Sequence, residues 1–230
     1  DMKDAADLLD RGSETVTVAE ALNRAWGAGE AEGLHIAAVD AEGWLRDLLD
    51  DRGAATRLEP VEPPRAFAGT LRPYQERGLS WLDFLRRLGA GACLADDMGL
   101  GKTVQALALL LRNREEHAPS PVEGRAVREP SLLVAPMSVL GNWGREAARF
   151  APTLKVLLHH GPERLAKSRF ARAASQADLV VTSYALLARD RDTLSPVAWD
   201  TVLLDEAQNV KNPSSQQASA ARSLKANHRI

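Results

Sequence analysis

A short apolar run that feeds a glycine-rich turn constrains this chain more than any other feature. The run is Ala92-Cys93-Leu94-Ala95, and the turn ends in Gly101-Lys102-Thr103. In such a turn, successive backbone N–H groups point at an anion, the lysine reaches the β- and γ-phosphates, and the hydroxyl ligates Mg²⁺. The strict pattern places glycine five residues before Gly101, where this chain has Asp96. The surrounding sequence therefore has to decide whether the turn binds a nucleotide.

Strand and helix patterns alternate on both sides of this turn. Pro73 begins one helix pattern and Lys102 another, and the run Ala92 to Ala95 reads as a strand. Further strands are predicted at Ser131–Ala135, Lys155–His159, Asp178–Thr182 and Thr201–Leu204, and further helices at Leu140–Phe150, Glu163–Ala174 and Ser214–Leu224. Continuous apolar strands separated by helices are typical of a parallel α/β sheet covered on both faces. Ligands of such sheets lie at the carboxyl ends of the strands.

Two carboxylates follow the last of these apolar strands. Asp205 stands at its tip, where it could hold Mg²⁺ through the water shell of the ion. Glu206 would then face the γ-phosphate and orient or deprotonate the attacking water. The alternative is a solvated turn of two acidic residues. The apolar strand before it and the glycine-rich turn upstream, residues 96–103 and called the phosphate turn below, favour a nucleotide site instead.

The chain divides near Leu58. Residues 1–58 contain a capping-box pattern at Thr17–Glu20, a break from Gly27 to Gly33, a strand signal at Leu34–Val39 and a second helix pattern around Trp44. They predict a small, mainly helical accessory region with no recognisable chemistry. The proline-rich stretch Glu59–Pro64 cannot hold a regular helix and predicts an extended linker that opens the lobe of residues 59–230.

Composition limits the partners and the compartment. The 29 basic and 31 acidic residues create no global field for nucleic acid, so DNA contact would need a local patch. Cys93 is the one cysteine, which excludes an internal disulfide and predicts a reducing cytoplasm. No apolar run approaches the roughly 20 residues that span a bilayer, so we expect no membrane segment. The start Asp1-Met2 and the end in a strand signal at His228–Ile230 lead us to expect a piece of a longer protein.

Five separated motifs carry a family resemblance. They occur in the order Leu71–Gln75, Leu94–Thr103, Val134–Trp143, Val181–Tyr184 and Asp205–Gln208. In order and spacing they resemble the Swi/Snf-type DNA-translocating ATPases of helicase superfamily two, over about Phe67 to Ile230. That family typically carries aspartate where the strict phosphate pattern has its first glycine, which accounts for Asp96. The resemblance implies the first RecA-like lobe of such a motor. Gln208, where the best-known members have histidine, resembles microbial forms and indicates a bacterial-type member, cytoplasmic and associated with the nucleoid.

The resemblance also implies a set of site residues and the cofactors ATP and Mg²⁺. Lys102, Asp205 and Glu206 would be catalytic, and Thr103 and Asp205 would hold the metal. Gln75 would recognise adenine, and the other nucleotide contacts would be Arg72, Asp97, Met98, Gly99, Leu100, Gly101, Lys102 and Thr103. Double-stranded DNA would be contacted through its backbone by Ser138, Asn142, Ser183, Tyr184 and Lys211. Trp143 could be a DNA contact or core, Ser138 and Ser183 could cap the helices that follow them, and Lys211 could simply be solvated.

Several alternatives stay open from the sequence. The chain could be another nucleotide-binding enzyme, such as a kinase or GTPase, although no Asn-Lys pair of the kind a GTPase needs to read its base occurs. It could also be a non-catalytic docking module. Motors of the resembled family close their nucleotide site with an arginine from a second lobe, so we expect this chain alone to bind ATP·Mg²⁺ weakly and hydrolyse it poorly. A DNA-bound protein partner, the cellular role and the oligomeric state are left open.

Overall fold

The computed structural model describes residues 60–97, 99–116 and 129–230, together with the backbone of two short strands nearer the amino terminus. The chain divides into two compact units, Asp1–Arg57 and Leu58–Ile230. In the first unit, β1 (Glu30–Ala31) pairs antiparallel with β2 (Leu34–His35). Strand β2 lies within the predicted strand, and β1 lies within the stretch Gly27 to Gly33, where the sequence predicted the end of a helix. The two helices predicted in this unit lie outside the described residues.

The second unit contains a five-stranded sheet. Its strands are β3 (Ser131–Ala135), β4 (Val156–Leu158), β5 (Leu179–Ser183), β6 (Ala198–Leu204) and β7 (Lys225–Arg229). They are ordered β4-β5-β3-β6-β7, and every pairing is parallel. All residues of β3 and β5 are buried, because helices cover both faces of the sheet. The predicted parallel α/β fold is confirmed.

The helices are α1 (Pro73–Arg87), α2 (Lys102–Glu116), α3 (Met137–Phe150), α4 (Lys167–Ala174), α5 (Tyr184–Arg189), α6 (Arg191–Leu194) and α7 (Gln216–Ser223). Helices α1 and α2 begin at the predicted residues, and α4 starts later than Glu163. Proline at the first position of α1 costs no hydrogen bond, because that N–H would have no partner within the helix. In the described part of the chain, no helix is long and apolar enough to cross a membrane.

Alternate strand residues supply two cores, one on each face of the sheet. On one face, Leu133 of β3 and Leu203 of β6 pack with α1, α2 and α3. On the other face, Val134 of β3 and Val202 of β6 pack with Phe170 of α4 and with α5, α6 and α7. This alternation follows from the two-residue period of a strand. Fully burying one such aliphatic side chain stabilises the fold by roughly 1.5–3 kcal/mol.

A cluster of charged residues holds α1 against α2. The Asp83 side chain is 2% exposed and forms ion pairs with Arg86, Arg87 and Arg112. Burial acts to raise the pKa of Asp83, but the hydrogen bond from Arg86 and the three guanidinium charges outweigh it and hold the pKa below its ordinary value. Glu116 pairs with the same three arginines. The arginines at the end of α1 therefore complete a helix–helix contact.

The strand predicted at Ala92–Ala95 does not form. The segment is extended but belongs to no strand of the sheet. The Ala92 N–H donates to the main-chain carbonyl of Arg229, the last residue of β7, at 2.8 Å. Arg229 thus lies between this segment and β6, because β7 pairs with β6 on its other side. One bond is too few to define a ladder, although it places the phosphate turn at the carboxyl end of the strands.

Candidate active site

The phosphate turn adopts a backbone that favours glycine. Gly99 and Gly101 have φ values of 85° and 82°, in the left-handed region. Helix α2 begins at Lys102, so the turn ends at the positive pole of a helix of 15 residues. The Lys102 ammonium folds back on the turn and donates to the carbonyls of Asp96 at 2.6 Å and Asp97 at 3.2 Å. The lysine therefore already lies over the loop in which a phosphate would be held.

Gln75 joins the first turn of α1 to the phosphate turn. Its Oε1 accepts from the Arg72 N–H at 2.9 Å, and its Nε2 donates to the Leu100 carbonyl at 3.0 Å. The Tyr74 hydroxyl donates to the same carbonyl at 3.2 Å. A Cβ on Gly101 would lie 2.5 Å from Gln75 Nε2. Both ends of the Gln75 amide are thus engaged by the protein, so recognition of adenine by Gln75, which stays a prediction, would have to share or exchange these bonds.

Asp96 stands where the strict phosphate pattern has its first glycine, and its side chain forms a hydrogen bond there. Its carboxylate accepts from Gln105 Nε2 at 2.9 Å. Gln105 is fully buried in α2, one turn after Lys102. The bond ties the first position of the phosphate turn to the helix that follows it. Sequence reasoning missed Gln105, which carries no motif signal beyond being polar on an apolar helix.

The acidic turn, Asp205 and Glu206, follows β6 directly. The Asp205 N–H donates to the Val134 carbonyl at 2.9 Å, which anchors the turn to the neighbouring strand β3. Glu206 has φ 55° and ψ 54°, a left-handed conformation that costs a non-glycine residue roughly 1–2 kcal/mol. Asn209 stabilises it by donating its side-chain amide to the Glu206 carbonyl at 2.8 Å. Strain that is held in place in this manner is frequent at functional sites.

Gln208 contacts the carboxylate that the sequence assigns to water activation. Its amide Nε2 donates to Oε2 of Glu206. Gln208 lies in a short 3₁₀ helix, Ala207–Val210, that begins immediately after Glu206. The glutamine in the fourth position of the acidic motif can therefore orient the Glu206 carboxylate, a contact that the motif alone did not indicate.

Two aromatic residues hold Asp205. The indole N–H of Trp143 donates to Asp205 Oδ2 at 2.7 Å, and the Tyr184 hydroxyl donates to the Asp205 carbonyl at 2.8 Å. Both aromatic side chains are buried, at 5% and 6% exposed. Burial, together with the nearby carboxylates of Asp205 and Glu206, raises the pKa of Tyr184, which keeps its hydroxyl a donor. Sequence reasoning weighed Trp143 as core or DNA contact and did not foresee that it bonds to Asp205, the predicted metal ligand.

The five predicted DNA contacts fall into two groups. Ser138 and Asn142 are exposed on the first half of α3, and Lys211 is exposed after the acidic turn. Ser183 is 2% exposed and its hydroxyl accepts from the Leu186 N–H at 3.3 Å, so it caps α5, as the alternative interpretation had it. Tyr184 is buried as well. Only the first group presents side chains to solvent, and DNA contact by all five stays a prediction.

The donor set fits ATP and Mg²⁺. A left-handed glycine turn at the start of α2, with Lys102 above it, is a cradle for phosphates. Thr103 is the second residue of α2, and the Asp205 carboxylate follows β6 at the carboxyl ends of the strands. Among the described residues no group of three or more His, Cys, Asp or Glu side chains could hold a metal. Mg²⁺ keeps most of its waters and takes few protein ligands, so one hydroxyl and one carboxylate are a suitable donor set for it. Met98 and its predicted nucleotide contact lie outside the described residues.

Comparison with known proteins identifies the family. Residues 74–230 match the profile of the SNF2-related domain. The chain belongs to this family. It is 50% identical over 186 residues to YwqA of Bacillus subtilis (strain 168), which is named as an ATP-dependent helicase/translocase; the match covers 81% of this chain and 19% of YwqA. It is 34% identical over 209 residues to the TATA-binding protein-associated factor MOT1 of Saccharomyces cerevisiae, covering 89% of this chain and 11% of MOT1.

A solved structure supports the same assignment. The SWI2/SNF2 ATPase core of Sulfolobus solfataricus in complex with dsDNA matches with a TM-score of 0.64 and 39% identity, over 75% of this chain and 33% of that one. The Swi/Snf resemblance and the RecA-like fold are therefore confirmed, and the Bacillus relative agrees with a bacterial-type member. The chain spans only a fifth of the length of YwqA and a third of the archaeal core.

Proposed function

We propose that this SNF2-related chain is the ATP-binding lobe of a motor that moves along double-stranded DNA. The observation that carries the proposal is the phosphate turn of Lys102 and the acidic turn of Asp205 and Glu206 at the carboxyl ends of one parallel sheet. Phosphoryl transfer asks a protein mainly for positioning and for stabilisation of charge, and these two turns supply the groups for both.

Each group has a defined role in the proposal. Lys102 exchanges its bonds to the Asp96 and Asp97 carbonyls for the β- and γ-phosphates of ATP. Thr103 and Asp205 would hold Mg²⁺, and the bound ion would neutralise negative charge on the phosphates. Glu206 orients the attacking water and accepts its proton. Gln208 fixes the direction in which the Glu206 carboxylate points.

The DNA partner rests on the structural relative and on the exposed side chains. The archaeal ATPase core was solved with duplex DNA. Ser138, Asn142 and Lys211 offer short polar and basic groups that suit phosphate contacts, which position a protein on DNA without reading sequence. Since the relatives are several times longer, we assign this chain half of the nucleotide site and part of the DNA track, with weak activity when it is alone. Whether a DNA-bound protein is displaced or remodelled depends on the rest of the motor.

The test is an ATPase assay on the full-length protein that contains this lobe, with double-stranded DNA, single-stranded DNA and RNA as separate arms. We expect stimulation by double-stranded DNA above the other two. Lys102→Ala should abolish hydrolysis, and Glu206→Gln should retain ATP binding while lowering turnover at least about 100-fold. Lys225→Ala and Glu163→Gln, which replace exposed residues away from the two turns, should retain the parental rate.

Two results would contradict the proposal. Parental ATPase rates in both the Lys102 and Glu206 variants would remove the assigned site. A complete lack of nucleotide turnover by the full-length protein, with or without any nucleic acid, would instead indicate a docking module.

A further inference from the structure

Trp143 connects α3, the helix that carries two of the proposed DNA contacts, to Asp205, the proposed metal ligand. Helix α3 starts two residues after β3 ends, so its first turns stand at the carboxyl edge of the sheet. Ser138 and Asn142 lie on its exposed side. Trp143 lies on the opposite, buried side with Leu140 and Ala147 and directs its indole N–H at Asp205 Oδ2, 2.7 Å away. The same helix thus carries two proposed DNA contacts and the side chain that bonds to Asp205.

Tyr184 makes a second connection to the same residue. It begins α5 immediately after β5, and β5 is separated from β6 by β3. Neighbouring strands lie roughly 4.8 Å apart, so the tyrosine has to reach across about two strand spacings to the turn after β6. Its hydroxyl meets the Asp205 carbonyl at 2.8 Å. Asp205 is therefore held at its carboxylate by α3, at its carbonyl by α5 and at its N–H by β3.

We propose that Trp143 is a positioning residue for Asp205, supported by Tyr184, and that it transmits the position of α3 on DNA to the orientation of the metal carboxylate. The inference rests on the proposed function. A carboxylate that holds Mg²⁺ through water must keep its orientation, and partners that orient metal ligands affect metal affinity or activity about 10–100-fold when they are removed. Trp143 on α3 and Tyr184 on α5 are such partners. Among the described elements, these two are the only ones whose side chains bond to Asp205.

The test replaces the donor and keeps the ring. Trp143→Phe removes the indole N–H from Asp205, and Tyr184→Phe removes only the hydroxyl. Trp199→Phe is the matched control, because Trp199 is also buried and donates its indole N–H to the Leu194 carbonyl at 3.2 Å, in the second core. Each variant is made in the full-length protein, and ATPase rates are measured against Mg²⁺ and against duplex DNA, with thermal unfolding alongside.

For Trp143→Phe we expect the Mg²⁺ concentration at half-maximal activity to rise about 10-fold and the ratio of DNA-stimulated to basal turnover to fall several-fold. The KM for ATP should change little, because the phosphate turn is untouched. Tyr184→Phe should shift both quantities in the same direction by less. Trp199→Phe should lower the melting temperature and leave the Mg²⁺ requirement and the DNA ratio as they are. A purely structural role for Trp143 would make the two tryptophan variants alike.

The outcomes separate this inference from the proposed function. If Trp143→Phe changes Mg²⁺ dependence and DNA stimulation no more than Trp199→Phe does, the inference is overturned while the ATPase assignment stands. If only the Mg²⁺ requirement changes, the transmission from α3 is overturned. Should Trp143→Phe fail to fold, an unchanged Tyr184→Phe protein would overturn the inference in its place. Failure of the proposed function shows differently, as parental hydrolysis rates in both Lys102→Ala and Glu206→Gln or as a complete lack of nucleotide turnover.

Discussion

The side chain of Gln105 occupies the space where Gly78 would carry a Cβ. An ideal Cβ on Gly78 would lie 1.8 Å from Gln105 Oε1, so a larger residue at that position would force the buried Gln105 side chain to move. The same glutamine donates its Nε2 to the Asp96 carboxylate at 2.9 Å. A glycine on α1 is thereby part of the support of the phosphate turn, two contacts away from it.

Substitution of Gly78 by alanine should therefore both destabilise the lobe and weaken nucleotide binding. Overpacking costs typically about 1–3 kcal/mol, and the gain in helix propensity returns about 1 kcal/mol, so we expect a net loss of up to about 2 kcal/mol. The displaced Gln105 should release Asp96. Gly144→Ala is the control, because Gly144 lies in α3 where a Cβ would meet no described atom within 4 Å. Urea unfolding should show Gly144→Ala stabilised by up to about 1 kcal/mol. A Gly78 variant as stable as that control would contradict the packing argument.

Gly101 and Gly161 provide a second matched pair, since both have left-handed φ values, of 82° and 81°. Alanine at either position should cost about 1–2 kcal/mol of backbone strain. A Cβ on Gly101 would also press against Gln75 Nε2 at 2.5 Å, whereas one on Gly161 would meet no described atom within 4 Å. Titration with a fluorescent ATP analogue should show at least about tenfold weaker binding for Gly101→Ala and unchanged binding for Gly161→Ala. Equal affinities in the two variants would show that this part of the turn does not contact the nucleotide.

His228 should make stability depend on pH. It is 4% exposed in β7, and burial lowers its pKa from 6.5 to about 4; the charge of Arg86 also lowers it, and Asp200 and the Ala90 backbone act in the opposite direction. Since the unfolded state binds the proton more readily, the stabilisation is fully present above pH 6.5 and is lost as the pH falls toward 4. The loss should reach at most about 3 kcal/mol across that window.

The check on His228 is urea unfolding of the chain and of His228→Leu at several pH values between 7 and 4. The variant should lose stability less steeply as the pH falls. A residual slope is expected from His159, because burial and the charge of Arg164 lower its pKa too, and its hydrogen bond to the Asp190 carboxylate offsets this only in part. Parallel pH profiles for the two proteins would show that His228 is not responsible.

Much of the fold could be read from local patterns. The strands at Ser131–Ala135 and Leu179–Ser183 and the starts of α1 and α2 lie at or within a residue of the predicted positions, because periodicity and a proline at a helix start are local signals. The strand prediction at Ala92–Ala95 was wrong, since an apolar extended segment has the same sequence pattern whether or not neighbouring strands pair with it. The same limit applies to Trp143. Its spacing on α3 correctly predicted burial, but the identity of its partner, 62 residues further along, left no local trace.

Local sequence was sufficient to predict the phosphate turn, the acidic turn and the parallel sheet covered on both faces, because each follows from residue types at short, fixed spacings. Three features came from the packing alone: Arg229 of β7 lies between Ala92 and β6, Gln105 bonds to the aspartate that stands in place of the missing glycine, and α3 and α5 both hold Asp205. Strand order and hydrogen bonds between distant residues depend on how elements pack. Periodicity says which face of an element is buried and leaves open which neighbour it is buried against.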